Sequence, residues 1–129
     1  MLEAITAMAS VIGDPYLLML IAVTTVLGIV IGVLPGLGAT TGAALLLPFT
    51  LTMSPVNAIA VLATLYVSAT FAGSITAILI NTPGTSAAAA TTFDGFPLAQ
   101  RGEAGRALGI AVVSSTIGGS VSIIVLCLA

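Results

Sequence analysis

Two short stretches carry most of the groups with which this chain could bind a ligand. One is Leu34-Pro-Gly-Leu-Gly-Ala-Thr-Thr-Gly42, which brings a helix breaker, glycines and two hydroxyls together; the other is Asn81-Thr-Pro-Gly-Thr-Ser86. Neither holds an acid or a base, so general acid–base work, nucleophilic catalysis and zinc ligation find no groups there. What they offer is backbone N–H groups freed by Pro and Gly, with Ser, Thr and Asn side chains that donate and accept. A helix that begins beside such residues points its free N–H groups and the positive end of its dipole at them, which holds an anion without a cationic side chain. The candidates to bind a carboxylate this way are Gly36, Gly38, Thr40 and Thr41 in the first stretch, and Asn81, Thr82, Gly84, Thr85 and Ser86 in the second. The same oxygens suit Na+, a hard cation. The competing structural reading is a pair of kinked helices whose hydroxyls bond back to their own carbonyls.

The elements that position these stretches belong to a membrane. Of the 129 residues, 59% are hydrophobic and 5% are charged, and mean hydropathy is +1.31; a soluble domain carries about 25% charged residues. From Pro15 to Phe93 there is no ionisable group except the phenols of Tyr16 and Tyr66. Irregular backbone at membrane depth leaves polar groups unpaired at several kcal/mol each, so it persists where protein or a water-filled cavity covers it. Both breaks are therefore expected to front a site.

The same composition excludes other functions. Two arginines, no lysine and a net charge of −2 do not make a nucleic-acid surface. With no His and one Cys there is no zinc site, and no cofactor is expected. Cys127 has no disulfide partner and reads as a small buried hydrophobe. No nucleophile and base can be paired, so the chain does not read as an enzyme.

The expected fold is all-α: one transmembrane domain over residues 1–129, a polytopic helical bundle with broken or re-entrant helices at the Pro-Gly motifs. The N-terminus lacks the positive region of a secretory signal and its apolar run is too long for one, so it is read as a retained membrane segment. At about 20 apolar residues per crossing, the chain has room for four or five membrane segments: 16–34, 38–53 (short or re-entrant), 56–80, 83–93 (short or re-entrant) and 107–129. Asp14-Pro15 and Ser54-Pro55 are N-cap signatures. Gly28, Gly32 and Gly36, spaced by four, bare one helical face for close packing. Small and hydroxylated residues from Tyr66 to Thr76 indicate tight packing or a polar lining. Asp94-Gly-Phe-Pro97 reads as a turn, with Asp94 also the one ion-coupling candidate. Arg101 and Arg106 place their loop in the cytoplasm. The N-terminus is then outside if 16–34, 38–53 and 56–80 all cross, and inside if the short middle piece re-enters.

Pro35-Gly-Leu-Gly38, Asn81-Thr-Pro-Gly84 and Asp94-Gly-Phe-Pro-Leu-Ala99, followed by Arg101-Gly102 and Glu103-Ala-Gly-Arg106, closely resemble in order and separation the N-terminal part of the large membrane subunit of tripartite tricarboxylate transporters, the TctA-type permeases. The resemblance runs from about Gly28 to Gly119. It implies a multi-pass protein of the bacterial inner membrane that takes up di- or tricarboxylates such as citrate, driven by an ion gradient with Na+ and H+ both open. It also implies two partners, a small membrane subunit and a periplasmic solute-binding protein. Carried onto this chain, the family's glycine-rich motifs add Pro83 to Gly36, Gly38, Asn81 and Gly84 as substrate-binding residues. The resemblance implies a chain several times longer with two related halves, so a fragment holding half a site is expected. The alternative from another class is a small structural multi-span membrane protein without transport activity.

Overall fold

A computed structural model describes residues 13–128, where the regular structure is entirely helical. Glu3, most of the N-terminal segment read as retained, and Ala129 lie outside the described residues. Helix α1 runs Pro15–Val33, with Pro15 in its first turn and the Asp14 Oδ1 accepting the Tyr16 N–H at 2.9 Å. It stops because Leu34 precedes a proline and is held extended, at φ −79 and ψ 113. Pro35 followed by Gly36 at φ +89 is the signature of a type II turn, closed by the Leu37 N–H donating to the Leu34 carbonyl at 3.3 Å. The chain re-enters helix at once: α2 is Gly38–Thr50, Gly38 itself at φ +63. The break is therefore tighter than its composition suggests, and Thr40, Thr41 and Gly42 are already helical.

Helix α3, Pro55–Ile80, is capped by Ser54, whose Oγ accepts the Asn57 N–H at 3.4 Å. It ends on Asn81 at φ +55, a left-handed cap that a short polar side chain tolerates. A 3-10 turn, Ser86–Ala90, leads into α4, Thr91–Gln100, and α5 follows as Ala104–Leu128. The expected turn at Asp94-Gly-Phe-Pro97 is overturned, since all four residues are helical inside α4. Pro97 forfeits one helical N–H bond, but Gly95 brings the α4 backbone so close to α3 that a Cβ there would stand 2.7 Å from Ile78 Cγ1. That packing holds the helix through the proline and carries it on to Gln100.

The core forms around α3, whose buried residues include Leu65, Ser68, Ala69, Ala72, Gly73, Thr76 and Ala77. These are mostly small, as expected where helices associate by close backbone approach rather than by hydrophobic expulsion from water. The Gly28/Gly32 face packs on α3. A Cβ on Gly28 would collide with Ser68 Oγ and lie 2.9 Å from the Leu65 carbonyl, and one on Gly32 would lie 2.6 Å from Ala69 Cα. Since 28 meets 65–68 and 32 meets 69, α1 and α3 run parallel, and α2 returns toward the start of α3. After Asn81 the chain doubles back: the Gly84 N–H donates to the Gly73 carbonyl at 3.3 Å. That is about 10 Å above the end of α3 at 1.5 Å per residue, and α4 then runs alongside α3 in the same direction.

Helices α1, α3 and α5 are long and apolar enough to cross a membrane. The 13-residue α2 spans about 20 Å, short of a ~30 Å hydrocarbon core. In α5 Ala107 is buried, while Cys127 is exposed. The expectation of a buried thiol fails because the distal half of α5 packs on nothing among the described residues.

Candidate functional site

The two breaks meet. A Cβ on Gly84 would collide with the Gly32 carbonyl oxygen and lie 3.0 Å from Gly73 Cα, so three backbones cross where no side chain fits. The α1–α2 turn approaches this crossing from the Pro55 end of α3, and the 81–86 segment approaches it from the Ile80 end. Between the two tips lies a cavity of about 380 Å³.

Its walls are built from both stretches singled out by sequence. Gly36, Gly38, Thr40 and Thr41 line it from the first turn and α2, and Pro83, Gly84, Thr85 and Ser86 line it from the second. Gly36 and Gly38 have left-handed φ and nothing within 4 Å of where a Cβ would stand, so glycine serves conformation there rather than space. Asn81 and Thr82 are not brought in. Asn81 caps α3, and the Thr82 hydroxyl donates to the Ile80 carbonyl at 3.2 Å. Asp94 lines a separate cleft.

The structure adds Tyr66 and Thr70 of α3 to the lining. They stand one turn apart on one face, with Ser74 one turn further, a period-four hydroxyl stripe that was readable in sequence but merged with the residues that pack. The Thr70 hydroxyl donates to the Tyr66 carbonyl at 2.7 Å.

Among the described residues no charged side chain lines the cavity. Its polar groups are hydroxyls and the N–H groups of the first turn of α2, four of which have no partner within a helix. Among the described residues the hydroxyls of Thr40, Thr41, Thr85 and Ser86 make no side-chain hydrogen bond, whereas those of Thr25, Ser68, Thr76 and Thr92 bond back to helix carbonyls. The Thr85 Oγ1 is buried without a partner among the described residues, a state that costs about 1–3 kcal/mol. At the two tips Thr40, Thr41, Thr85 and Ser86 keep their hydroxyls off the helix carbonyls, whereas Thr70 in the same lining and Thr82 in the second break bond back. The arrangement can donate several hydrogen bonds to a small anion.

Three helices long and apolar enough to cross a membrane, two of them packed on each other through Gly28 and Gly32, define a multi-pass helical membrane protein. The chain belongs to the tripartite tricarboxylate transporter TctA family, whose model matches residues 18–129. The family is one of transporters, which points away from catalysis. A relative from Agrobacterium vitis, described as an uncharacterized 52.8 kDa protein in the TAR-I ttuC' 3'region, is 46% identical over 107 residues, covering 83% of this chain. The match spans 21% of that relative's length. No solved structure matches the chain.

Proposed function

We propose that this chain contributes to the membrane permease of an ion-gradient-driven, binding-protein-dependent uptake system for di- or tricarboxylates of the citrate type, and that the cavity between the two breaks receives a substrate carboxylate. The observation that carries the reading is the convergence of two sequence-distant tips on one uncharged cavity, with the hydroxyls of Thr40, Thr41, Thr85 and Ser86 and the first amides of α2 left free of helix carbonyls. Carboxylate oxygens accept bonds from such groups, and helix N-termini hold anionic substrate groups in this way at broken helices of transporters. A structural role accounts for the Gly28 and Gly32 packing but gives no reason for free hydroxyls at the tips.

The assembly follows the family. A small membrane subunit completes the membrane part, and a periplasmic solute-binding protein delivers the substrate. With Arg101 and Arg106 on the cytoplasmic side of a bacterial inner membrane, α3 crosses outward-to-inward. The start of α1 then lies outside with the start of α3, α1–α2 dips in from the periplasm, and residues 81–100 dip in from the cytoplasm.

The test uses a permease of the relatives' full length in cells that carry the binding protein, with uptake of labelled citrate as the readout. Thr40→Val, Thr41→Val and Thr85→Val remove hydroxyls at nearly constant volume, and each is expected to lower uptake ~10-fold or more at normal membrane abundance. Unchanged uptake in Gly36→Val, Gly38→Val and the threonine variants together would remove the site from consideration.

A further inference from the structure

Tyr66 stands where a membrane helix ordinarily carries no tyrosine. Tyrosines of membrane proteins gather at the two interfaces, with the ring in hydrocarbon and the hydroxyl in water. Helix α3 is long and apolar enough to cross a membrane, and Tyr66 is close to its middle. Among the described residues its phenol makes no hydrogen bond, and the residue is 50% exposed. A hydroxyl left unpaired at that depth is costly. Thr70, one turn on, avoids the cost by donating to the Tyr66 carbonyl at 2.7 Å, as a hydroxyl on a short side chain can. The rigid ring carries the phenol away from its own helix and leaves it no such recourse. In front of it is the central cavity, which Tyr66 lines together with both tips.

The place of Tyr66 relative to the tips limits what it can touch. A Cβ on Gly73 would lie 2.7 Å from Thr85 Oγ1 and 2.9 Å from the Thr85 backbone nitrogen, so Thr85 sits at the Gly73 level of α3. Tyr66 comes seven residues earlier on the same face, about 10 Å nearer the Pro55 end at 1.5 Å per residue. Side chains on a helix lean toward its N-terminus, which carries the ring further from Thr85. One carboxylate, whose two oxygens share a carbon, does not reach both. A molecule with a second acid group places one carboxylate at the tips and the other at the phenol. We propose that Tyr66 donates its phenolic hydrogen bond to a second carboxylate of the substrate, and that this contact makes the cavity select di- and tricarboxylates over monocarboxylates. The proposal rests on the carboxylate reading above and assigns the far end of the same substrate. A monocarboxylate leaves the phenol unpaired, and a site built to bond a polar group discriminates strongly against a ligand that lacks it.

The experiment is thermal unfolding of a purified permease of the relatives' full length against three probes: citrate with three carboxylates, succinate with two and acetate with one. Citrate and succinate are expected to raise the midpoint saturably, following the ratio of ligand to Kd, at far lower concentrations than acetate. Tyr66→Phe keeps the ring and removes only the hydroxyl. It is expected to weaken citrate and succinate about tenfold or more, the loss of one hydrogen bond to a charged group, and to leave the acetate response unchanged. Thr40→Val, at the tips, is expected to weaken all three. Unchanged citrate affinity in Tyr66→Phe beside a weakened one in Thr40→Val overturns the proposal and leaves the carboxylate site standing. Equal weakening of all three probes in Tyr66→Phe also overturns it, since a general loss of packing does the same. Citrate weakened in Tyr66→Phe but not in Thr40→Val or Thr85→Val removes the tips and keeps the phenol as a carboxylate contact. No saturable citrate shift in the unsubstituted permease removes both.

Discussion

Replacing Gly32 by alanine adds one methyl group at the point where α1, α3 and the 81–86 segment cross. The new Cβ would lie 2.6 Å from Ala69 Cα and 2.7 Å from its carbonyl carbon, against about 3.5–4.0 Å for an ordinary contact. These neighbours are backbone, so no side chain can swing aside; α1 must move about 1 Å away from α3. Overpacking of this kind costs about 1–3 kcal/mol, a shift of roughly 5- to 150-fold in the folding equilibrium. Two other glycines isolate the cause. Gly118 is helical with nothing within 4 Å of its Cβ position, so Gly118→Ala is expected to be neutral or to gain up to ~1 kcal/mol of helix propensity. Gly36 also has open space but φ +89, so Gly36→Ala is expected to lose about 1–2 kcal/mol through backbone conformation alone. Denaturant titration of the three variants in one detergent gives the ranking. Gly32→Ala as stable as Gly118→Ala would refute the close crossing, and with it the means by which the two tips meet.

Thr85→Val removes a buried hydroxyl that has no partner among the described residues. The unliganded chain is expected to hold or gain about 1 kcal/mol while citrate uptake falls, and a loss of stability in unfolding measurements would show that the hydroxyl is satisfied internally. Asn81→Val places a β-branched residue at φ +55 and is expected to cost about 1–2 kcal/mol, whereas Asn81→Gly is tolerated; equal midpoints would count against the left-handed cap. In a Cys127→Ser background, single cysteines at residues 13, 53 and 102 report sidedness to an impermeant maleimide. Residues 13 and 53 are expected to label from the same face and 102 from the other, and opposite labelling of 13 and 53 would refute the α1–α2 hairpin.

Much of the architecture is written in local chemistry. Asp14-Pro15 and Ser54-Pro55 start helices because cap and proline act within one turn, and Leu34 ends one because its successor is proline. Gly28 and Gly32 bare a face that only a close neighbour can use. What local chemistry could not give is the outcome of competition between a local rule and tertiary packing. Asp94-Gly-Phe-Pro97 has every turn residue, yet Gly95 lies against Ile78 and the segment stays helical. Cys127 has the composition of a buried site, but burial depends on a neighbour that α5 lacks among the described residues. The candidate site divides in the same way. Hydroxyls at the tips were identifiable by type, whereas the exclusion of Asn81 and the inclusion of Tyr66 and Thr70 follow from how far the chain doubles back at Gly84.

The absence of charge from Pro15 to Phe93 then has a mechanical consequence. A lysine or arginine held beside the cavity would have to be desolvated when the site closes, at several kcal/mol for the ion, and would hold an anion by a contact that weakens little with orientation. Amides and hydroxyls hold it by directional bonds that fail when the tips part. Here the tips are fixed by backbone contacts between Gly32, Gly73 and Gly84, where a shift of about 1 Å removes the packing. An anion held as proposed, by the Gly38 end of α2 on one side and Thr85 on the other, is therefore expected to be sensitive to any motion of α1–α2 against α3.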